Sequence, residues 1–139
     1  MSSEREYRSV PQSTRAVFGG LIDPRAVEYR GRQMRSRLER DFAMHLDSIQ
    51  VEWEYAPAIY GPKGEGYLPD FRVIVRGVPT FIEIKPRKAE VRGAAERMAV
   101  IWDWHPEAVL LIACAEGSTF FAARRGERWR SWVELWKHA

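Results

Sequence analysis

Apolar residues recur at helical spacing in three stretches of the chain. In residues 33–48 and 90–104 they repeat every three or four positions, which predicts one amphipathic helix in each stretch. The third stretch, 127–138, predicts a C-terminal helix with one apolar stripe, formed by Trp129, Trp132, Val133 and Trp136. Contiguous apolar surface of this kind usually marks a contact, so we expect the stripe to cover a sheet edge and to contribute to a homodimer.

Between the helices the pattern changes to that of strands. Residues 51–56 alternate between apolar and acidic side chains, as a half-buried strand does. Residues 109–113 form a continuous apolar run, which is typical of a strand buried on both faces. Further strands are expected at 67–75, 80–85 and 119–123. The predicted fold is therefore α/β, with a core of order α-β-β-β-α-β, a mixed sheet flanked by helices, and a C-terminal helix.

The strands at 67–75 and 80–85 are expected to form a hairpin with Gly77 and Val78 in its turn. Three pairs of residues then face one another: Phe71 with Ile84, Val73 with Ile82, and Val75 with Thr80. The same pairing places Asp70 opposite Lys85, with Glu83 on the same face. A slip of one residue would move Asp70 to the other face, so the apolar pattern and the polar cluster predict the same pairing.

Two carboxylates and a lysine beside an apolar face indicate a functional site, because burying charged groups is costly unless they are paired or bind a ligand. The oxygens of Asp70 and Glu83, together with the backbone carbonyl of Ile84, are of the kind that Mg²⁺ prefers. Such a metal polarises a phosphodiester and activates water, while Lys85 can orient that water or stabilise developing charge. The combination predicts phosphodiester hydrolysis with Mg²⁺ as cofactor, for which Mn²⁺ is expected to substitute.

The spacing of these residues resembles that of a nuclease superfamily. Pro69-Asp70 followed by Glu83-Ile84-Lys85 is similar to the PD-(D/E)xK signature, and the element order over residues 33–113 resembles that superfamily's core. Two segments look most like those of TnsA-type endonuclease domains and short proteins of phages and mobile elements: Tyr67-Leu68-Pro69-Asp70-Phe71 and Phe81-Ile82-Glu83-Ile84-Lys85-Pro86. No Gln-x-x-x-Tyr motif follows Lys85, which argues against the RecB-like exonuclease branch.

The resemblance implies a restriction-endonuclease-like core and a Mg²⁺-dependent endonuclease that cleaves DNA. Asp70 and Glu83 would then be metal ligands and Lys85 the catalytic lysine. Glu39 would be the helix carboxylate that completes the metal site, directly or through water. A domain of this size has room for one active site, so cutting both strands would require a homodimer or a partner protein. Two other functions stay open, namely a Holliday-junction resolvase of the same fold and a non-catalytic DNA-binding or virion-associated module.

Each candidate residue also has a structural alternative. Asp70 follows a proline and could cap a turn, while Glu83 and Lys85 could form an exposed ion pair, which stabilises little. Glu39 stands three residues after Ser36, which is the spacing of a capping box in which the glutamate binds back to the serine amide.

Arginine is concentrated near the N-terminus: the first 40 residues contain nine arginines and five acids. The net charge is only +3, but all except four of the 22 basic residues are Arg. Guanidinium groups bind phosphates in a fork geometry, so this segment predicts a polyanionic partner such as DNA. We expect an Arg-rich arm at 1–30 and a single nuclease domain at 31–139. DNA contacts are expected from Arg35, Arg37, Lys63, Arg87, Lys88 and Arg92.

The remaining composition limits the class of protein. No apolar stretch approaches the ~20 residues that span a bilayer, and the polar N-terminus has no signal-peptide core. A cytoplasmic protein with no membrane partner is therefore expected. The single cysteine, Cys114, excludes an internal disulfide and, with three scattered histidines, provides no zinc-ligand spacing.

Overall fold

The computed structural model describes residue 18, residues 25–61 and residues 66–132 of the chain. Over these ranges the protein is mixed α/β, and a six-stranded mixed sheet is flanked by helices. The elements, in chain order, are β1 (Val27–Tyr29), β2 (Arg32–Met34), α1 (Arg37–Ser48), β3 (Trp53–Tyr55), β4 (Phe71–Val75), β5 (Val78–Lys85), α2 (Val91–Met98), β6 (Val109–Cys114), β7 (Thr119–Arg124) and β8 (Arg130–Ser131). The predicted order α-β-β-β-α-β is confirmed and runs from α1 to β6.

The sheet order is β3-β4-β5-β6-β7-β8. Strands β5 and β6 pair in parallel, whereas all other neighbours in this sheet are antiparallel. A parallel pair needs a long connection, and here α2 supplies it together with two 3₁₀ segments, Lys88–Glu90 and Ala99–Asp103. These three segments together confirm the helical prediction for residues 90–104.

Two separate apolar cores cover the two faces of the sheet. On the face of α1, the Phe42 ring packs against Phe71, with ring centroids 5.6 Å apart. On the face of α2, Met98 and Ile101 pack with Phe81. Strand β6 is buried along its whole length because it contributes side chains to both cores. This explains its continuous apolar run, as predicted for a central strand.

The hairpin of β4 and β5 has a different register from the predicted one. Its turn consists of Arg76 and Gly77, both with positive φ (52° and 77°), while Val78 belongs to β5 and pairs with Val75. Positive φ at both central residues is typical of two-residue hairpin turns. The predicted pairs of Phe71 with Ile84, Val73 with Ile82, Val75 with Thr80, and Asp70 with Lys85 are therefore wrong by two residues. The observed pairs include Phe71 with Ile82 and Val73 with Thr80.

The first helix begins later than predicted. It starts at Arg37 instead of residue 33, and the Ser36 hydroxyl caps it by accepting a 3.3 Å hydrogen bond from the Glu39 amide. The preceding residues Arg32–Met34 form a strand paired with Val27–Tyr29, which lies in the predicted Arg-rich arm, and the sequence predicts neither strand. The rest of the predicted arm, apart from Phe18, residues 25 and 26, and Arg30, lies outside the described residues.

The C-terminal helix predicted for 127–138 is wrong in its first part, because Arg130–Ser131 is an edge strand. Extended backbone sends side chains to alternate faces, which separates the two described tryptophans of the stripe. Trp132 is buried in the core beside α1, whereas Trp129 packs against the core beside α2. Val133 and Trp136 lie outside the described residues. In the part of the chain that the structure describes, no helix is long and apolar enough to cross a bilayer.

Candidate active site

The ends of β4 and β5 bring Asp70 and Glu83 together. Asp70 immediately precedes β4, and continuing the hairpin register by one residue places it opposite Glu83. The Asp70 amide donates a 3.0 Å hydrogen bond to the Ile82 carbonyl. One carboxylate oxygen of Asp70 accepts a 2.7 Å hydrogen bond from the Ile84 amide. The side chain of Asp70 thus replaces the next backbone partner in the ladder.

This arrangement also directs the Ile84 carbonyl. The N–H and C=O of one strand residue point to the same edge, and the Ile84 N–H points towards Asp70. The Ile84 carbonyl is therefore directed past the end of β4, on the side where Asp70 lies. A backbone oxygen there is compatible with the predicted role of Ile84.

Glu83 lies in β5 on the α2 side of the sheet, because it alternates with Ile82 and Ile84 on the α1 side. One of its oxygens accepts a hydrogen bond from the Tyr67 hydroxyl. The other oxygen lies 3.4 Å from Nζ of Lys85. Burial and the negative charge of Glu83 raise the pKa of Tyr67 well above its usual value, so this hydroxyl remains a donor. Glu83 is therefore held from two sides.

Glu39 approaches the same end of the sheet from the first turn of α1. Its Oε2 accepts a 3.1 Å hydrogen bond from the Tyr55 hydroxyl, and its Oε1 accepts one of 3.2 Å from the Ser36 hydroxyl. The structural alternative for Glu39 is therefore partly right, since Ser36 does cap the helix through the Glu39 amide. The carboxylate, however, faces the cluster as well as the cap.

Arg35 joins the α1 side of the cluster to the sheet. Its Nη2 lies 2.6 Å from Oδ1 of Asp70 and 3.1 Å from Oε2 of Glu39. Its backbone amide and Nε both donate to the Tyr55 hydroxyl, at 3.0 and 3.2 Å. Burial lowers the pKa of Arg35, but the contacts with Tyr55, Asp70 and Glu39 raise it by more, so the guanidinium is a permanent cation.

Within the described residues, the cluster brings three buried carboxyl groups together with two cations. Asp70, Glu83 and Glu39 are 5, 8 and 4% exposed, and the cations that contact them are Arg35 and Lys85. Burial raises the pKa of Asp70 well above its usual value, and the charges of Glu83 and Glu39 raise it further. The hydrogen bond from the Ile84 amide acts on this pKa in the opposite direction. A carboxylate in such surroundings favours the arrival of another cation.

The donor set fits Mg²⁺ in chemical kind, because it consists of carboxylate oxygens and one backbone carbonyl. Among the described residues, no group of three or more Asp, Glu, His or Cys side chains is arranged to hold a metal ion. Instead, the Arg35 guanidinium lies between Asp70 and Glu39. The types of ligand atom therefore suit Mg²⁺, but a metal ion bound by both Asp70 and Glu39 would meet the guanidinium of Arg35.

The residues predicted to contact DNA are found in different places. Arg35 belongs to the carboxylate cluster, Arg37 is exposed at the start of α1, and Lys63 lies outside the described residues. Arg87 and Lys88 are exposed and follow β5, the strand that carries Glu83, after one intervening proline, and Arg92 is exposed on α2. The amide of Lys88 is fixed by a 2.9 Å hydrogen bond to a carboxylate oxygen of Glu116.

Sequence reasoning missed three contributors to the cluster. Tyr67 belongs to a motif segment, but the motif assigns it no role, and the alternating pattern predicts Tyr55 only as an inward-facing strand residue. Arg35 was expected on the DNA-binding surface and instead contacts two carboxylates. The inward position of Tyr55 in the alternating pattern was a signal for its burial, but no sequence pattern indicated these hydrogen bonds.

Another carboxylate, Asp47, lies at the other end of α1, away from the cluster, and has well-defined partners. The Tyr29 hydroxyl donates to it at 2.5 Å, the Trp53 indole at 2.9 Å, and Arg30 forms an ion pair at 3.1 Å. Burial raises the pKa of Asp47, but these three donors lower it by more. Asp47 therefore joins β1, β3 and α1 as a charged structural residue.

Comparison with known proteins found no protein-family model that matches the chain, and no matching curated protein or solved structure. The inference of function therefore depends on the residues at the ends of β4 and β5.

Proposed function

We propose that this protein is a Mg²⁺-dependent endonuclease that hydrolyses DNA phosphodiester bonds, and that its sheet and helices form a restriction-endonuclease-like core. The observation that carries the proposal is the convergence of Asp70, Glu83 and Lys85 at one end of the sheet, with Glu39 facing them from α1. The motif spacing and the order of elements support the same interpretation. Buried carboxylates with mutual repulsion are costly for folding, and such groups cluster at functional sites.

The proposed metal ligands are Asp70, Glu83 and the Ile84 carbonyl, with Glu39 as a further ligand directly or through water. When bound, Mg²⁺ supplies Lewis acidity, which polarises the phosphodiester and makes water a better nucleophile. Asp70 is kept in place by the Ile84 amide, and Glu83 by the Tyr67 hydroxyl. These two hydrogen bonds orient both carboxylates before any ligand arrives, which reduces the reorganisation needed for binding.

Lys85 is suited to the role of a catalytic cation. Its ammonium lies 3.4 Å from Glu83, and its side chain is 19% exposed, so it remains reachable from the surface. An ammonium group in this position can donate hydrogen bonds to a phosphate oxygen or orient an attacking water. Because Lys85 is two residues from Glu83 on the same strand face, the strand itself fixes their spacing.

The proposed DNA-binding surface surrounds this end of the sheet. Arg87 and Lys88 follow Lys85 in the chain, so a backbone that places its phosphate at the carboxylates passes these cations. Arg37, Arg92, Lys63 and the Arg-rich arm are further proposed phosphate contacts. One active site per chain cuts one strand, so we propose a homodimer or a partner protein for double-strand cleavage.

The decisive experiment is cleavage of supercoiled plasmid and of four-way junction DNA with Mg²⁺, with Mn²⁺, and with EDTA. Nicking or linearisation of plasmid in Mg²⁺ or Mn²⁺, and none in EDTA, is the expected result. Cleavage confined to the junction would favour a Holliday-junction resolvase. DNA binding with no cleavage in either metal would contradict the proposed activity and leave a non-catalytic DNA-binding module.

A further inference from the structure

One cation of the candidate site occupies an unusual position for a DNA-binding residue. Nη2 of Arg35 is within 2.6 Å of Asp70 and 3.1 Å of Glu39, so one nitrogen bridges two carboxylates from different elements. The two acids are proposed to meet the same metal. The guanidinium therefore neutralises the same two carboxylates that a bound metal would neutralise.

We propose that Arg35 is an internal counter-cation, which occupies the space between Asp70 and Glu39 in the metal-free protein and is displaced when a divalent cation binds. The inference rests on the proposed metal site. It assigns to Arg35 a regulatory contact in addition to the phosphate contact expected from the sequence.

Electrostatics makes the two occupants mutually exclusive. Mg²⁺ binds carboxylate oxygens at about 2.0–2.1 Å, and Nη2 already lies 2.6 Å from Oδ1 of Asp70. Two cations on one oxygen would lie within a few ångströms of each other, where repulsion in a partly buried site is strong. A doubly charged ion interacts more strongly with two carboxylates than a guanidinium does, so the metal displaces Arg35 once its concentration is sufficient.

The surroundings of Arg35 allow such a displacement without loss of the site. Asp70 keeps its second anchor, the 2.7 Å hydrogen bond from the Ile84 amide, which does not involve Arg35. The backbone amide of Arg35 keeps its 3.0 Å hydrogen bond to the Tyr55 hydroxyl, so the residue stays anchored while its planar guanidinium, which lies 5.6 Å from the centroid of the Tyr55 ring in the metal-free protein, turns as a unit. Its side chain is 52% exposed, so the released Nη2 turns towards solvent beside the site. A released guanidinium at this position can bind the substrate phosphate.

Metal affinity measured without DNA tests this proposal. Mg²⁺ and Mn²⁺ are titrated by calorimetry into the full-length chain, as wild type, Arg35→Ala and Arg35→Lys. The matched control is Arg32→Ala, which removes the same charge from an exposed position in β2. We expect Arg35→Ala to bind metal about tenfold more tightly or better, because a unit charge in direct contact is removed. The control should change affinity less than about twofold, because salt screens more distant charges.

Two further measurements do not depend on activity. In EDTA, Arg35→Ala should melt at a lower temperature than wild type, and added Mg²⁺ should raise its melting temperature by more than it raises that of wild type. Arg35→Lys keeps the charge but loses the guanidinium fork, so its affinity should be intermediate. In wild type, the Nε–H NMR resonance of Arg35 should shift as metal saturates the site.

The outcomes separate this inference from the proposed function. If wild type binds metal and cleaves DNA but Arg35→Ala binds metal equally or more weakly, Arg35 is a positioning residue, and the displacement proposal is wrong. An Arg35 resonance unmoved at saturating metal would also overturn it. If Arg35→Ala gains metal affinity while no variant cleaves DNA, the counter-cation is supported and the nuclease activity is not. If neither wild type nor variant binds metal, both proposals fail.

Discussion

Asp70 and Asp47 are both aspartates that contact an arginine and accept further hydrogen bonds, yet their pKa values are shifted in opposite directions. Asp47 lies at the C-terminal end of α1, where its side chain is 26% exposed and its partners are a tyrosine, a tryptophan and Arg30. Asp70 lies near the N-terminal end of α1, where it is buried beside two other carboxylates. The two aspartates have a similar number of partners, but only Asp70 has other carboxylates as close neighbours.

The comparison shows what distinguishes a structural carboxylate from a candidate reactive one in this fold. At Asp47, the three described partners all favour the charged form, so the group stabilises the connection of α1 to two strands. At Asp70, burial and repulsion from Glu83 and Glu39 disfavour that form, and the folded chain retains an arrangement that is costly without a cation. We expect a substitution at one end of α1 to leave the other end intact, so each end serves as the control for the other.

The largest difference is expected in DNA cleavage. Asp70→Asn and Glu83→Gln should each lower the cleavage rate at least about 100-fold, the scale seen when one charge-stabilising group is removed from an active site. Asp47→Asn should retain the wild-type rate, because its partners lie away from the cluster. Rates are measured on plasmid in saturating Mg²⁺, with circular dichroism as the check on folding. Equal losses at Asp47 and Asp70 would indicate a general effect on stability.

The next difference concerns DNA affinity and its dependence on salt. Replacing both Arg87 and Lys88 with alanine should weaken binding and reduce the slope of log affinity against log salt by about 0.9 for each DNA phosphate that is no longer neutralised. Arg125→Ala should leave the slope unchanged, because Arg125 is exposed just after β7, at the opposite end of the sheet from the candidate site. Fluorescence anisotropy at several salt concentrations, in EDTA to prevent cleavage, measures both quantities. An unchanged slope in the double variant would remove Arg87 and Lys88 from the DNA-binding surface.

A third difference is expected in the pH dependence of stability without metal. A lowered pKa means that the Asp47 carboxylate stabilises the fold above its ordinary pKa of about 3.9, and that this contribution is lost as pH falls through its folded value. A raised pKa means the reverse for Asp70: its ionisation costs stability as pH rises from about 3.9 through its folded value.

The pH profiles of the two asparagine variants should therefore diverge. As pH rises from 3 to 7, the free energy of unfolding of Asp47→Asn should fall relative to that of wild type. Over the same interval, the value for Asp70→Asn should rise relative to wild type. Urea unfolding in EDTA across this interval measures both trends. Parallel trends for the two variants would contradict the contrast between the two ends of α1.

The smallest expected effect is that of Trp53→Phe. This change removes the 2.9 Å indole hydrogen bond to Asp47 and leaves an aromatic ring against Phe71. We expect a loss of about 1 kcal/mol in the free energy of unfolding, the usual net value of one hydrogen bond. Cleavage and metal affinity should not change. A variant that loses activity at unchanged stability would show that the Asp47 end communicates with the candidate site.

The five strands β3 to β7 and the faces of their side chains could be predicted, because the side-chain pattern of a strand has a period of two residues. The short strands β1, β2 and β8 could not. The predicted register of β4 and β5 was wrong by two residues, which is a full period, so Asp70 and Glu83 still share an end of the sheet. The error lies in the turn, where the sequence indicates Gly77 correctly but not the second turn residue, Arg76. Arginine at positive φ is uncommon, and nothing in the sequence selected Arg76 over Val78.

The contacts of Arg35 could not be predicted because they depend on where strand β2 ends and where helix α1 begins. Strand β2 ends at Met34 and Ser36 caps α1, so Arg35 occupies a link that the helical pattern had included in the helix. Its partner Asp70 is 35 residues away in the chain. Similarly, the tryptophans of the predicted C-terminal stripe recur at helical spacing, but sheet pairing at Arg130 overrides that local preference.

The two-residue turn of β4 and β5 also has a consequence for the order of folding. Asp70 and the Ile84 amide are 14 residues apart, and closing the hairpin brings them together through local contacts alone. Such hairpins form in microseconds, whereas contacts across long loops are slower to reach. We expect the half of the cluster on β4 and β5 to assemble in the folding transition state and Glu39 to join after it. The test is a folding φ-value analysis, which compares the effect of a mutation on the folding rate with its effect on stability. High values at Val73 and low ones at Leu38 would support this order, and the reverse pattern would exclude it.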